Sequence, residues 1–315
     1  MQSSDPAASP TRVVRHPDFW FDDGTIVLQV ERTLYRVYRG LLSARSTVFH
    51  DTFSIPQPIE SPDISEQHEI EGCPVVKLHD REKDFTRFLK ALLHHGSYKT
   101  TAVANFAELS SVLRLSDKYD VPVLRESLTC MLQDIYPSSL DKWLKRNDTI
   151  PPGYQVRNAD NVPVLNLARK LNIRSILPGV MYLASQSHGL DVLYATRSGK
   201  IEHPDDRRHY VLAIPELILA RRRVWTQYLV HDEDGIEDCE TEEGECDAER
   251  IRWLSLDLPR EDGIDPLHDE IPWKDFAVCP PCLELAQNEY TTARQQLWDD
   301  LPALFGLGTW DELLA

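Results

Sequence analysis

The sequence predicts an α+β fold, a small sheet covered by helices, followed by a mostly α-helical C-terminal region. Three observations carry that expectation. Apolar residues recur at every second position at Ile26, Leu28 and Val30 and again at Tyr35 and Val37, with Glu31-Arg32 between the two runs, which is the pattern of a β-hairpin. From residue 40 the spacing becomes helical, and a short strand pattern returns at 74–78, where Val76 and Leu78 align. Beyond Pro151-Pro152-Gly153 the apolar stripes keep a helical period to the end of the chain.

Each element follows from local chemistry. Residues 1–16 are polar and proline-bearing and read as a disordered N-terminal lead, with a first domain over 17–140 and a helical region over 141–315. Asp22-Asp23-Gly24 is a turn into the first strand. One helical stripe over 40–53 holds Leu41, Leu42, Val48 and Phe49, and 54–72, rich in Pro, Ser and acids, reads as a loop. Phe85, Phe88, Leu89, Leu92 and Leu93 form a helix face closed by the cap-like pair His94-His95. Asn105 with Glu108 starts the next helix, which stops before Pro122, and Leu124, Leu128, Met131, Leu132 and Ile135 make another.

In the C-terminal region Val164, Leu165, Ala168 and Leu171 form one stripe, and Ile176, Leu177, Val180, Met181 and Ala184 the next, with Pro178 in its first turn. Pro215 is expected to open a helix carrying Leu217, Ala220, Val224, Tyr228 and Leu229. The last stripe, Leu283, Ala286, Tyr290, Ala293 and Leu297, runs into Trp298, Leu301, Leu304, Phe305 and Trp310, a tail too apolar to stay in water and expected to dock on the preceding helices.

The formal charge of -17 is concentrated. Residues 231–249 hold eleven acids and no Lys or Arg, and without them the rest of the chain carries only -6. The run reads as a solvated, self-repelling acidic loop, or as a docking segment for a basic partner. The densest basic cluster is Arg221-Arg222-Arg223, too short for the Lys/Arg tracts that neutralise phosphates, so a nucleic-acid partner is disfavoured. No secretory h-region and no apolar run of membrane-spanning length occurs, which predicts an intracellular protein, cytoplasmic or nuclear, without a membrane partner.

Two motifs resemble a known family. Leu42-Ser43-Ala44-Arg45-Ser46 followed by Phe49, and preceded by the hairpin with Gly24, is similar to the core motif of a BTB/POZ domain, as is Lys118-Tyr119-Asp120-Val121 with Leu124 and Arg125. Phe19-Trp20-Phe21, Ile55-Pro56-Gln57-Pro58, Gly72-Cys73-Pro74-Val75-Val76, Leu113-Arg114-Leu115-Ser116 and the C-terminal Trp298, Leu301-Pro302, Phe305-Gly306-Leu307 and Trp310 further resemble the BTB proteins of mushroom-forming fungi. The resemblance implies a non-enzymatic protein-interaction adaptor, homodimeric or recruiting a cullin-type ubiquitin ligase scaffold. One position departs from the family, which commonly has His before a basic residue at the end of the second strand. Here Tyr38 precedes Arg39, so partners that depend on that His are in doubt. A Tyr there is expected to pack under the helical hairpin with its hydroxyl at the wet rim.

The strongest local chemistry is sulfur. Cys239 and Cys246 flank six residues, and Cys279-Pro280-Pro281-Cys282 is a CxxC, so four thiolates, with His231 as a possible substitute, form a candidate structural zinc site. A CxxC at a helix start is also the geometry of a dithiol redox motif, which keeps a thiol-active or metal-dependent enzyme as the alternative. A BTB-type transcriptional regulator is a third reading, but no C2H2 spacing is present and the charge is wrong. Other signatures fail: Ser198-Gly199-Lys200 lacks the upstream glycine of a P-loop, and no HExxH occurs. No catalytic residue is nominated, and zinc is the one cofactor expected.

Overall fold

The computed structural model describes residues 13–55, 69–93, 103–188, 193, 199–230, 239–241, 244–257, 265, 267 and 271–315. The chain divides into two compact units. Unit 1 is Met1–Cys130 with Pro151–Gln155, and unit 2 is Met131–Ile150 with Val156–Ala315, so the division falls inside a helix, ahead of the expected boundary at 140.

Unit 1 is built on a five-stranded sheet of order β1-β3-β2-β5-β4, with β1 Val14–Trp20, β2 Ile26–Val30, β3 Thr33–Val37, β4 Glu69–Ile70 and β5 Cys73–Leu78. The expected β2–β3 hairpin is antiparallel, with Leu28 opposite Tyr35, and β5 adds parallel to β2. Two expectations are corrected here. Val14–Trp20 is a strand, so residues 14–16 are not part of a disordered lead. It pairs parallel to β3, and its Pro17 is tolerated because an edge strand can spare a donor. Residues 69–72 leave the expected loop for the sheet, because Glu71 and Gly72, both at positive φ, make the two-residue turn that joins β4 to β5.

The sheet is covered unequally. Ile26, Leu28, Val30, Tyr35 and Val37 are buried, and Tyr35 packs edge-on against Phe85 at 5.2 Å. On the opposite face only a small cluster of Val27, Leu34 and Cys73 is buried, with Trp20, Ile70 and Val75 packed against it.

The helices of unit 1 are α1 Arg39–Arg45, α2 Thr47–Ser54, α3 Glu82–Leu93, α4 Phe106–Lys118 and α5 Pro122–Ile135, the last crossing the unit division. The expected single helix over 40–53 is two, because Ser46 is extended at φ -141°, ψ 122°; its hydroxyl caps α2 by accepting the Phe49 N–H at 3.0 Å. Asn105 caps α4 as predicted, accepting the Glu108 N–H, while the Glu108 carboxylate reaches back to the Ala104 N–H. α4 ends where Asp120 turns left-handed at φ 47° and the Val121 N–H returns to the Ser116 carbonyl at 2.8 Å, just before Pro122. His94 and His95 lie outside the described residues, as does most of the loop over 54–72.

Unit 2 is helical: α6 Leu140–Leu144, α7 Arg146–Thr149, α8 Asn161–Lys170, α9 Leu177–His188, α10 Pro204–Gln227, α11 Glu245–Asp257, α12 Pro280–Leu304 and α13 Trp310–Leu314. Pro215 does not open a helix but sits inside α10. The start lies eleven residues earlier at Pro204, where Asp205 and Asp206 favour the helix N-terminus and buried Asp206 accepts a forked bond from Arg169 of α8. The acidic loop over 231–249 is likewise shorter than expected, since Glu245 to Glu249 form the first turns of α11. The C-terminal tail docks as predicted: Trp298 is buried against Trp143 at 5.1 Å, and Trp310 stacks on Trp298 at 5.2 Å. Among the described residues no helix is long and apolar enough to cross a membrane.

Candidate metal centre

α11 and α12 present their N-terminal turns to one point. Cys246 is the second residue of α11, Cys279 is the N-cap of α12, and Cys282 lies in the first turn of α12. Pro280 and Pro281 occupy the first helical positions, where a missing N–H costs nothing, and so fix the turn between the two cysteines of the CxxC. Cys239 reaches the same point from the preceding segment. The four sulfurs lie within 4.8 Å of one another, so these cysteines can hold a metal ion. Cys239 Sγ and Cys279 Sγ are 3.8 Å apart, too far for a disulfide, and all four cysteines are free. Tetrahedral coordination with metal–sulfur bonds of about 2.3 Å sets sulfurs about 3.8 Å apart.

The surroundings suit thiolates. The Cys279 backbone N–H donates to Cys246 Sγ at 3.3 Å, and Thr241 Oγ1 stands 3.3 Å from Cys239 Sγ and 3.2 Å from Cys246 Sγ. Burial pushes the Cys279 thiol up, but N–H donors from Glu240 and Cys282 and the neighbouring thiols more than offset it and bring it to about 6. The Thr241 hydroxyl and N–H hold Cys239 below the ordinary thiol value, while burial and the three neighbouring sulfurs raise Cys282. Opposed shifts of this kind mark sulfurs that share charge, and a dication relieves them together. Cys246, Cys279 and Cys282 are buried and Cys239 is exposed. His231, the possible substitute, lies outside the described residues, and the four sulfurs need no fifth donor.

Sequence reasoning missed what positions the second pair. Glu249 of α11 accepts from Arg252, from Trp253 Nε1 at 2.8 Å and from the Ala277 N–H at 3.2 Å, which ties the helix that carries Cys246 to the strap that delivers Cys279. The Arg252 bonds hold its carboxyl down at about 2 despite desolvation. The signal for α11 was Cys246, Arg250 and Trp253 at i, i+4 and i+7, all buried, and the charge of Arg250 hid it as an apolar stripe. Beside the centre, Trp273, Phe276 and Tyr290 pack edge-on around buried Tyr228 at 5.4–6.1 Å. Tyr228 fills the middle of that cluster, which makes it core and not a cage for a cation.

The motif residues in unit 1 also converge. Leu42, Phe49, Tyr119 and Leu124 are buried, Phe49 stacks on Tyr119 at 4.5 Å, and the Ser46 hydroxyl donates to the Tyr119 carbonyl at 2.5 Å. Lys118 pairs with Asp80 at 2.6 Å, and the Tyr119 hydroxyl bonds the same carboxylate; burial, then that bond, raises the phenol well above its ordinary value. Gly24 is required, because a Cβ there would come within 2.9 Å of the Arg36 side chain and 3.0 Å of the Phe21 carbonyl. Tyr38 stacks on Phe21 at 5.3 Å and donates to Asp23 at 2.7 Å, and Arg39 reaches the Phe53 carbonyl at 2.5 Å, so both spend their polar groups within the hairpin and helix pair.

Compared with known proteins, the chain matches no family model and no curated protein.

Proposed function

We propose that the chain is a non-enzymatic protein-interaction adaptor, with a BTB/POZ-like module in unit 1 and a structural zinc ion closing a corner of unit 2. The observation that carries the first half is the joint at Ser46 and Tyr119, where the two resembling motifs, 73 residues apart, share one buried hydrogen bond and one ring stack. The order of β2–β3 hairpin, α1–α2 pair, β5 and then α3 to α5 agrees with that family's order. The second half rests on four sulfurs within 4.8 Å of one another, one pair of them at 3.8 Å. Four protein ligands leave no open position for a catalytic water, which favours a structural ion over a metal-dependent enzyme. The CxxC at the start of α12 keeps a dithiol redox reading as the second one, with Cys279 as the attacking thiol.

The adaptor is tested by sedimentation of the full chain alone and with a purified cullin-type scaffold. A dimer, or a stoichiometric complex with the scaffold, is expected; a monomer that ignores the scaffold overturns the reading. Elemental analysis of the same preparation is expected to find one zinc per chain, lost in Cys279→Ser. A metal-free protein with disulfide-exchange turnover favours the redox reading instead.

A further inference from the structure

Among the described residues, α10 exposes an apolar helix face that neither the BTB-like module nor the metal centre uses. On α10, Tyr210, Ala213, Leu217 and Val224 are buried on one side. On the other, Val211, Leu212, Ile218 and Leu219 keep 39%, 56%, 48% and 55% of their surface in water, with exposed Pro215 between them. At about 100° per residue these five fall within an arc of roughly 120°, which is a complete amphipathic stripe turned outward. Scattered exposed apolar residues need no explanation, but a continuous stripe does.

Charge identifies the occupant. Exposed Arg208 and Arg222 lie in the same arc, two turns to either side of Pro215, with exposed Arg223 beside the second and exposed Asp205 and Glu216 on the border of the arc. A second copy fits badly. Antiparallel pairing centred on Pro215 joins the two stripes but sets Arg208 against Arg222 of the other copy at both ends. Sliding the copies until Asp205 meets Arg222 puts Val211 opposite Glu216 and Arg208 opposite Leu219, and so breaks the apolar contact. A bilayer also fits badly: the ring nearest the face, Trp225, lies at its border, half-buried and packed edge-on against Tyr228, and an extended anionic surface meets the whole chain charge of -17. A helix-sized partner meets only its neighbourhood, since charges beyond about 8 Å are screened at physiological salt.

We propose that the outward face of α10 is a docking site for an amphipathic helix of another protein whose apolar stripe is bordered by carboxylates. The helix lays its stripe over Val211 to Leu219 and sets its acids against Arg208 and Arg222. The site belongs to unit 2, and the proposal holds whether or not unit 1 is a BTB module.

The test uses the full chain and two labelled synthetic helical peptides that share one leucine stripe, bordered by Glu in one and by Lys in the other, with binding read by fluorescence anisotropy. The Glu-bordered peptide is expected to bind about tenfold tighter, as two exposed charge pairs of ~0.7 kcal/mol each imply. Arg222→Glu with Arg223→Glu is expected to reverse that preference. Leu212→Ser with Ile218→Ser, at exposed positions, is expected to leave circular dichroism unaltered and to weaken both peptides about tenfold while leaving any unit 1 complex intact. Equal binding of the two peptides, or indifference to the Ser pair, overturns the proposal. So does a concentration-dependent dimer abolished by the Ser pair, or partition onto phosphatidylserine vesicles in place of peptide binding.

Discussion

In unit 1 Phe49, Phe88 and Tyr119 stack at 4.5 and 5.5 Å, with Phe85 against the edge of the same tyrosine, whereas the corner of unit 2 that gathers Cys246, Cys279 and Cys282 has, among the described residues, Val278 as the partly buried apolar side chain packed on it. The first core is closed by carbon. Each buried ring removes enough apolar surface to contribute ~2 kcal/mol or more without help from any ligand. The second is closed by sulfur, in the stretch where the chain is most acidic and has few aliphatic side chains to bury. Four sulfurs within 4.8 Å of one another repel once they are ionised, and a cation would join them, so on the proposed reading the two regions differ in what their order depends on: composition in one, an ion in the other.

Removing the proposed metal is therefore the most severe way to test the contrast. Four-thiolate zinc contributes on the order of 10 kcal/mol in small domains, and that contribution is folding energy. Chelation, or Cys279→Ser with Cys282→Ser, is expected to abolish amide protection in α11 and the first turns of α12 while β2 and α3 keep theirs, as read by hydrogen exchange. Equal loss in β2 would show that the two regions are not separately held. Unchanged exchange in α11 would show that no ion orders it.

The complementary perturbation falls in unit 1. Ser46→Ala removes the acceptor that caps α2 and the donor to the Tyr119 carbonyl, and leaves both backbone groups buried and unpaired. The expected cost is ~2 kcal/mol in denaturant unfolding. Zinc content should not change. A loss of zinc on this substitution would join the two regions energetically.

The sheet was largely legible in the sequence because alternation is a strong signal where one face is buried: Leu28 and Tyr35 pair as their spacing required. β1 was not, since its Val14, Asp18 and Arg15 face water and Pro17 interrupts it; pairing with β3 orders it, and that is a nonlocal effect. The start of α10 was misplaced because Pro215 carries the same local signal as Pro204. The two acids of the first turn, Asp205 and Asp206, and the buried Asp206–Arg169 pair between positions 37 residues apart distinguish them. The four metal-ligand candidates were legible as types and spacings, for a CxxC is a local motif. Their supports, Thr241 and Glu249, were not, because both stand among eleven acids that read as one solvated loop.

Glu249 gives the finest probe of how the sulfur corner is held. The Arg252 bonds, chiefly, keep its carboxyl at about 2, below an ordinary value near 4.5, so the contribution of the ionised group is complete above that ordinary value and is lost as pH falls through the interval toward 2. Arg252 is half exposed, so solvent screens the pair and keeps its net worth small. Glu249→Gln keeps an acceptor for Trp253 and Ala277 but not the charge. The expected difference in unfolding free energy between the native chain and the variant is therefore ~1 kcal/mol at neutral pH, shrinking toward zero near pH 2. Protonation of the cysteine thiolates is common to both chains and cancels in that difference. A gap that stays constant across the acid range would mean that Glu249 acts through shape alone. A gap that closes as described makes its charge the strap by which α11 holds the Cys279 turn in place for the metal.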